Sequence, residues 1–379
     1  MYLVARLIGI GTYALLLFLM YLIIRNTNTK SLSGFLKIYV VLLSVMAFFY
    51  VPSSGADLYR LVPIMHIYAG MSPEQLWSYI VASDTPGEPL YFYLVGQLGH
   101  DGFLPAISAL ITYSLCFSIL NDCVKKTGTS VKNAAAVLLL FMSRGLFLSA
   151  ISNIRTMMAL ALIGWCVYHE MVNGRNVLKN VLLYLFAASL HVMGQVFLVV
   201  RIAFLLLEKT KNVRRRFLKI VIAVVAAAVV AAIAGRYLET LIETGMSYYE
   251  GGRSGEGYVY FWEGLLSGAV ILFTVGFLLS LRKRKTAIEV GSVSGEGLAR
   301  FSVVTVAINI AALFFEFNFF HRTGMLLAIF NIPLGLFVLE SAESEKEQAQ
   351  IRSGLLILSV VMLFVTCARG DLCSLKFFE

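Results

Sequence analysis

Six arginines carry the first chemical signal in this chain: Arg60, Arg144, Arg155, Arg236, Arg253 and Arg322. Arg155 is the sharpest. It stands in Ile154-Arg155-Thr156-Met157-Met158-Ala159, at the head of an apolar stretch long enough to cross a bilayer. An arginine at the centre of a membrane helix costs about 2.5–3.5 kcal/mol on insertion scales, so its presence predicts a use and an anion beside it. The planar guanidinium pairs bidentately with phosphate, which lysine does not. A phosphate ligand and an internal carboxylate, Glu88 or Glu316, are both open as that anion. Proton transfer has three candidates. His191 closes a second apolar stretch, Ala187-Ala188-Ser189-Leu190-His191, and imidazole titrates near neutrality. Asp57 and Glu88 are competing bases. Each has a plainer reading too. His191 also suits a hydrogen bond between helices, and Asp57 with Arg60 has the i,i+3 spacing of a local ion pair.

The elements that hold these residues are membrane helices. Hydrophobic residues make up 59% of the 379 and charged residues 14%, with mean hydropathy +0.81, whereas soluble domains are about 25% charged. Apolar runs of about 17–25 residues recur, the length of a spanning helix. They are too continuous for alternating barrel strands. The chain reads as an all-α polytopic membrane protein in one integral domain, with about 12 transmembrane or re-entrant helices. They fall near 3–24, 36–51, 88–120 (broken near Gly99–Gly102), 131–148, 154–171, 177–191, 193–207, 217–235, 259–281, 299–318, 323–340 and 352–368. The first is expected to be a true span, not a cleaved signal. The pair flanking His191 is either two short spans or a re-entrant hairpin.

Charge orients these segments. Most of the 31 basic residues collect in alternate loops, around Arg25–Lys37, Lys125–Lys132, Arg175–Lys179, Lys209–Lys219, Arg282–Arg300 and Lys346–Arg352. The positive-inside rule makes those loops cytoplasmic and both termini outward. The net charge of +9 is thereby explained by topology, without nucleic acid. Arg6 and Arg369 are near-terminal, and Arg201 reads as a helix-end residue. The six arginines named first map to the outer loops or outer helix ends. An outward set made of arginine alone points to phosphate.

Two outer loops stand out. The segment 52–88 holds most of the prolines, and Ser72-Pro73-Glu74-Gln75 reads as a helix start with a capping box. Short helices at the outer surface are expected there, with Trp77 and Tyr79 at the interface. The second loop, 236–258, is rich in tyrosine and glycine. Its Tyr249 and Arg253 suit stacking on sugar, or an interfacial aromatic belt. The glycine-rich stretch in 282–298 lacks the Gly-Lys-Ser/Thr ending of a P-loop and reads as a cytoplasmic linker. His169-Glu170 has no further ligand at metal spacing and reads as a surface pair. Cys367 and Cys373 are free thiols, or a disulfide if the C-terminus faces outward.

Several of these segments together resemble the EpsG-type and Wzy-like polysaccharide polymerases of bacterial envelopes. They are Asp57-Leu58-Tyr59-Arg60, Glu88-Pro89-Leu90-Tyr91, Ile154-Arg155 before an alanine-rich helix, Ala187-Ala188-Ser189-Leu190-His191, and Phe319-Phe320-His321-Arg322. They occur in the family's order over residues 40–340. Two departures are visible. Thr156 stands where Gln often follows the arginine, and Val192-Met193-Gly194 replaces a basic-hydroxyl pattern after the histidine. The resemblance implies a GT-C-like fold in the bacterial inner membrane with the active site facing outward. It implies a donor glycan on undecaprenyl pyrophosphate and a second lipid-linked unit as acceptor. It also implies a chain-length regulator and a flippase as partners. Arg155 and Arg322 would bind the pyrophosphate, assisted by Arg144 or Arg60, with Tyr59, Tyr249 and Arg253 on the substrate. Without an outer Asp-x-Asp pair, neither metal nor other cofactor is called for. The alternatives are a flippase or transporter of lipid-linked oligosaccharide, a ligase of the O-antigen type, an acyltransferase, and a structural membrane protein.

Overall fold

The computed structural model describes residues 2–52, 56–207, 257–284, 289–290, 293–314, 317–368 and 376–377. Helices dominate. Helix α1 (Tyr2–Asn26) packs on the later helix Val131–Ser143 and α2 (Thr29–Phe48) on Phe103–Thr127, and the Asn28 side chain accepts the Ser31 N–H to start α2. Two short helices follow, α3 (Asp57–Ala69) and α4 (Pro73–Ala82). The start of α4 is the expected one: Ser72 and Gln75 cap each other and Pro73 occupies the first turn, where its missing N–H costs nothing. At 10 residues α4 is about 15 Å long, too short to cross a bilayer.

The segment expected at 88–120 divides where its glycines lie, into α5 (Gly87–Gly96) and α6 (Phe103–Thr127). Next come α7 (Val131–Ser143) and α8 (Leu146–Ser152), bent by 54° from one another. Gly145 makes that bend at φ +76°, a left-handed conformation that disfavours side chains with a Cβ. Helix α9 (Ile154–Met171) matches its expected limits. A single 3-10 turn (Val177–Asn180) leads to α10 (Val181–Leu190), and α11 (Val192–Leu207) turns back at His191. The rest is α12 (Gly257–Lys283), α13 (Glu296–Leu313), α14 (Phe317–Glu340) and α15 (Glu345–Ala368). Two-residue strands pair Tyr50–Val51 with Lys376–Phe377, and Glu289–Val290 with Val293–Ser294. The expected linker at 282–298 therefore contains a small ribbon.

Among the described residues, seven helices are long and apolar enough to cross a membrane, or eight if bent α7–α8 counts as one span. The expectation of about 12 transmembrane or re-entrant helices also took in α9, the short pair α10 and α11, and a segment at 217–235. Helices α5, α10 and α11 are apolar but short, and an apolar run looks the same in sequence whether it crosses or turns back. The span expected at 217–235 lies outside the described residues. The chain is a multi-pass membrane protein built around α14, whose spanning window is 94% buried, against 22% for α15. Helices α12, α13, α7, α6 and α9 pack directly on α14.

The α10–α11 hairpin closes on a glycine. A Cβ on Gly194 would sit 2.1 Å from the Ala187 carbonyl oxygen and 2.4 Å from its carbon. Backbone atoms cannot step aside as a side chain can, so Gly194→Ala must open the hairpin. Overpacking of this kind costs roughly 1–3 kcal/mol. Gly194→Ala is expected to lower the unfolding temperature of the purified protein; an unchanged value would show that the hairpin is looser than described.

Candidate active site

The head of α9, the His191 turn and the start of α5 meet at one end of the bundle. Arg155 projects from the first turn of α9 and its Nη1 pairs with Glu88 Oε2 on α5. The Thr85 hydroxyl donates to the same carboxylate oxygen at 3.0 Å. Both partners keep contact with solvent, Arg155 being 28% and Glu88 14% exposed. The anion beside Arg155 is thus a carboxylate of its own chain, one of the two considered from sequence. Glu316, the other, lies outside the described residues.

His191 is fixed at both ring nitrogens. The Met193 N–H donates to Nδ1 at 3.1 Å, and Nε2 lies 3.1 Å from Thr156 Oγ1. With Nδ1 accepting, a neutral ring carries its proton on Nε2 and donates it to Thr156. Thr156 sits one residue past Arg155, so α9 supplies the cation and the anchor of the histidine from one turn. His191 is buried, and the charges of both Arg322 and Arg155 act on its ring. Among the described residues, no hydrogen bond or ion pair engages Arg322, which stands in the first turns of α14.

The wall of the site comes from segments whose role was not visible in sequence. The Gln195 amide donates to the Asp84 carbonyl at 2.7 Å, tying α11 to the loop before α5. Gly87 lies so close to Ser189 that a Cβ would sit 2.3 Å from its hydroxyl oxygen. Tyr68 on α3 packs edge-on against Tyr79 and tilted against Phe92. Burial raises the Tyr68 phenol above its ordinary value, Glu88 and Tyr79 add to the rise, and Arg155 opposes it. An aromatic on a surface helix gives no sequence signal of that placement.

The other named residues lie elsewhere. Arg144 is buried behind this end of α14, where it donates to the Gly324 carbonyl at 3.0 Å and to Ser267 at 3.3 Å. It lines a small, mostly apolar cavity with Val137, Phe141, Val270 and Asn331. Ser267 in turn meets His321 Nδ1 at 3.2 Å. Successive residues of a helix point about 100° apart, so His321, which meets Ser267 beside Arg144, and Arg322 leave α14 in different directions. Asp57 and Arg60 form the local ion pair on α3, with Arg60 72% exposed, and Tyr59 is exposed beside them. Arg236, Tyr249, Arg253 and Cys373 fall outside the described residues.

One reading from sequence is overturned. Glu170 is not a surface residue: it is buried and paired with Arg201, whose Nε lies 2.8 Å from Oε2. Asn180 donates to Oε1 at 2.7 Å and the Tyr184 hydroxyl to Oε2 at 3.1 Å. Arg201 is accordingly an interior residue joining α9, α10 and α11. The partners are 31 residues apart and no sequence spacing announced them.

One end of the helical bundle thus gathers Arg155, Glu88, Thr85, Thr156 and His191. The EpsG family model matches residues 54–377, and the chain belongs to the EpsG family. That membership indicates a polysaccharide-polymerase-like function of the glycosyltransferase type, and with it a lipid-linked oligosaccharide substrate. No curated protein matches the chain, and no solved structure does.

Proposed function

We propose that the protein is a polymerase that joins lipid-pyrophosphate-linked repeat units into a polysaccharide, at an outward-facing site in the bacterial inner membrane. The reading rests on one observation above all: the first turn of α9 sets Arg155 against Glu88 and Thr156 against the buried His191, with Arg322 adding a second positive charge on that ring. Two guanidinium groups at one end of a bundle suit a pyrophosphate leaving group, whose charge grows as the glycosidic bond breaks. Fixed donors in a water-poor site stabilise that charge without reorganising. The acceptor hydroxyl needs a base, for which Glu88 and His191 stand nearest the cations and Asp57 stands apart on α3. Undecaprenyl pyrophosphate as the donor lipid, a GT-C-like fold and independence from metal belong to this proposal. So do a flippase and a chain-length regulator as partners. The basic loops, placed inside by charge, support the orientation.

A transporter of lipid-linked oligosaccharide would share an arginine-lined site. The two readings separate in proteoliposomes holding the purified protein and a lipid-pyrophosphate-linked repeat unit. A polymerase lengthens the glycan and releases lipid pyrophosphate. Movement of unchanged lipid between leaflets, with no longer product, would replace this proposal with the transporter.

A further inference from the structure

We propose that Glu88 is a latch on Arg155: it occupies the guanidinium while the donor is absent, and the incoming pyrophosphate displaces it and so frees a base. The inference rests on the pyrophosphate reading above. Four observations carry it. Glu88 is the ion-pair partner of Arg155 and sits where a ligand phosphate would have to bind. The pair stays in contact with solvent, so exchange needs no unfolding. Thr85 and Arg155 both engage Oε2, and among the described residues nothing engages Oε1. His191, by contrast, has both nitrogens committed to Met193 and Thr156, and would have to break a contact before accepting a proton.

The step balances without another reactant. The acceptor hydroxyl oxygen bonds to the anomeric carbon of the donor. The bond from that carbon to the pyrophosphate oxygen breaks, and its electron pair leaves on the pyrophosphate held by Arg155 and Arg322. The hydroxyl proton passes to Glu88. Thr85 keeps the displaced carboxylate at the rim of the site rather than releasing it to solvent. The arrangement links the two substrates, because the base becomes available only when a donor has taken its place on Arg155.

An internal competitor lowers the apparent affinity by the fraction of time it occupies the site. Glu88→Gln removes the competing charge, nearly preserves the shape, and leaves an oxygen for the Thr85 hydroxyl. Binding of undecaprenyl pyrophosphate to the detergent-purified full chain is expected to tighten roughly three- to tenfold in Glu88→Gln. Polymerisation should fall by about 10²-fold or more. Glu88→Asp should recover part of the turnover, and Glu88→Ala should bind the lipid as Glu88→Gln does. Equal or weaker binding by both Glu88→Gln and Glu88→Ala, with binding still lost in Arg155→Ala, would overturn the latch and leave the pyrophosphate reading standing. Normal turnover in Glu88→Gln would remove the base. Unchanged binding in Arg155→Ala would bring down the underlying reading itself.

Discussion

Arg155→Ala is expected to cut polysaccharide output by about 10²–10³-fold at equal membrane abundance, the loss that follows removal of one fixed donor to a developing oxyanion. The substitution has two consequences that must be separated. It removes a cation from the site, and it leaves Glu88 in a partly buried position with Thr85 as its remaining partner. The second effect alone would lower stability, and it disappears when the carboxylate is removed as well. The double variant Arg155→Ala/Glu88→Ala therefore decides the matter. If Arg155 serves the reaction, the double variant folds normally, stays inactive and no longer binds undecaprenyl pyrophosphate. If Arg155 exists only to neutralise Glu88, the double variant binds that lipid as Glu88→Ala does, and the catalytic account fails. Arg155→Lys should restore little, because a point charge does not reproduce the fork that pairs with a pyrophosphate.

The largest effect on stability is expected at the other charged pair. Arg201→Met should destabilise the protein by about 3–5 kcal/mol, the usual result of stranding one member of a buried ion pair. Glu170 would keep Asn180 and Tyr184 but lose the charge that offsets its own. Replacing both, as in Glu170→Met/Arg201→Met, should recover much of the loss, because two apolar side chains strand no charge. Thermal unfolding of the purified variants reads this directly. A single variant as stable as the parent would mean that the pair is wet in the native protein. The two arginines give opposite patterns in the paired substitutions: the Glu170 pair recovers stability, and the Glu88 pair recovers none of the activity.

Much of this was legible in the sequence because it is local. The capping box at Ser72–Gln75 and the glycine break between α5 and α6 are written in adjacent residues. So is the limit of α9, whose apolar run begins beside Arg155. Membership in the EpsG family was visible in short segments that keep their order. What was not legible depends on distant residues meeting. Arg144 and Arg155 look alike on the page, yet one is buried on a carbonyl and a serine while the other faces a carboxylate with access to solvent. Glu170 looked like a surface residue because its partner lies two helices on. The pair flanking His191 stays open in sequence between two short spans and a re-entrant hairpin for the same reason, since length and apolarity do not say whether a helix turns back.

The two departures from the family pattern acquire a physical sense together. Thr156, in place of glutamine, is short enough to meet the His191 ring at 3.1 Å. Gly194, in the segment that replaces a basic-hydroxyl pattern, lets α11 close on the Ala187 backbone. A small residue on each side of the histidine belongs to one close fit.

Under the proposed reaction, the hairpin would also set how deep the chemistry lies. Helix α10 has 10 residues, about 15 Å, and the 3-10 turn of four residues before it adds about 8 Å. Their sum falls short of the roughly 30 Å of a hydrocarbon core. If the hairpin starts at the basic face beside Lys179, its tip stops several ångströms beneath the opposite surface, as the floor of a well does. Under the proposed reaction a growing glycan must lower its terminal sugar into that well, shedding water as it goes. Sugars in the middle of a chain would have to bend to reach the floor. Extension at an end, rather than branching along the chain, would then be a matter of depth.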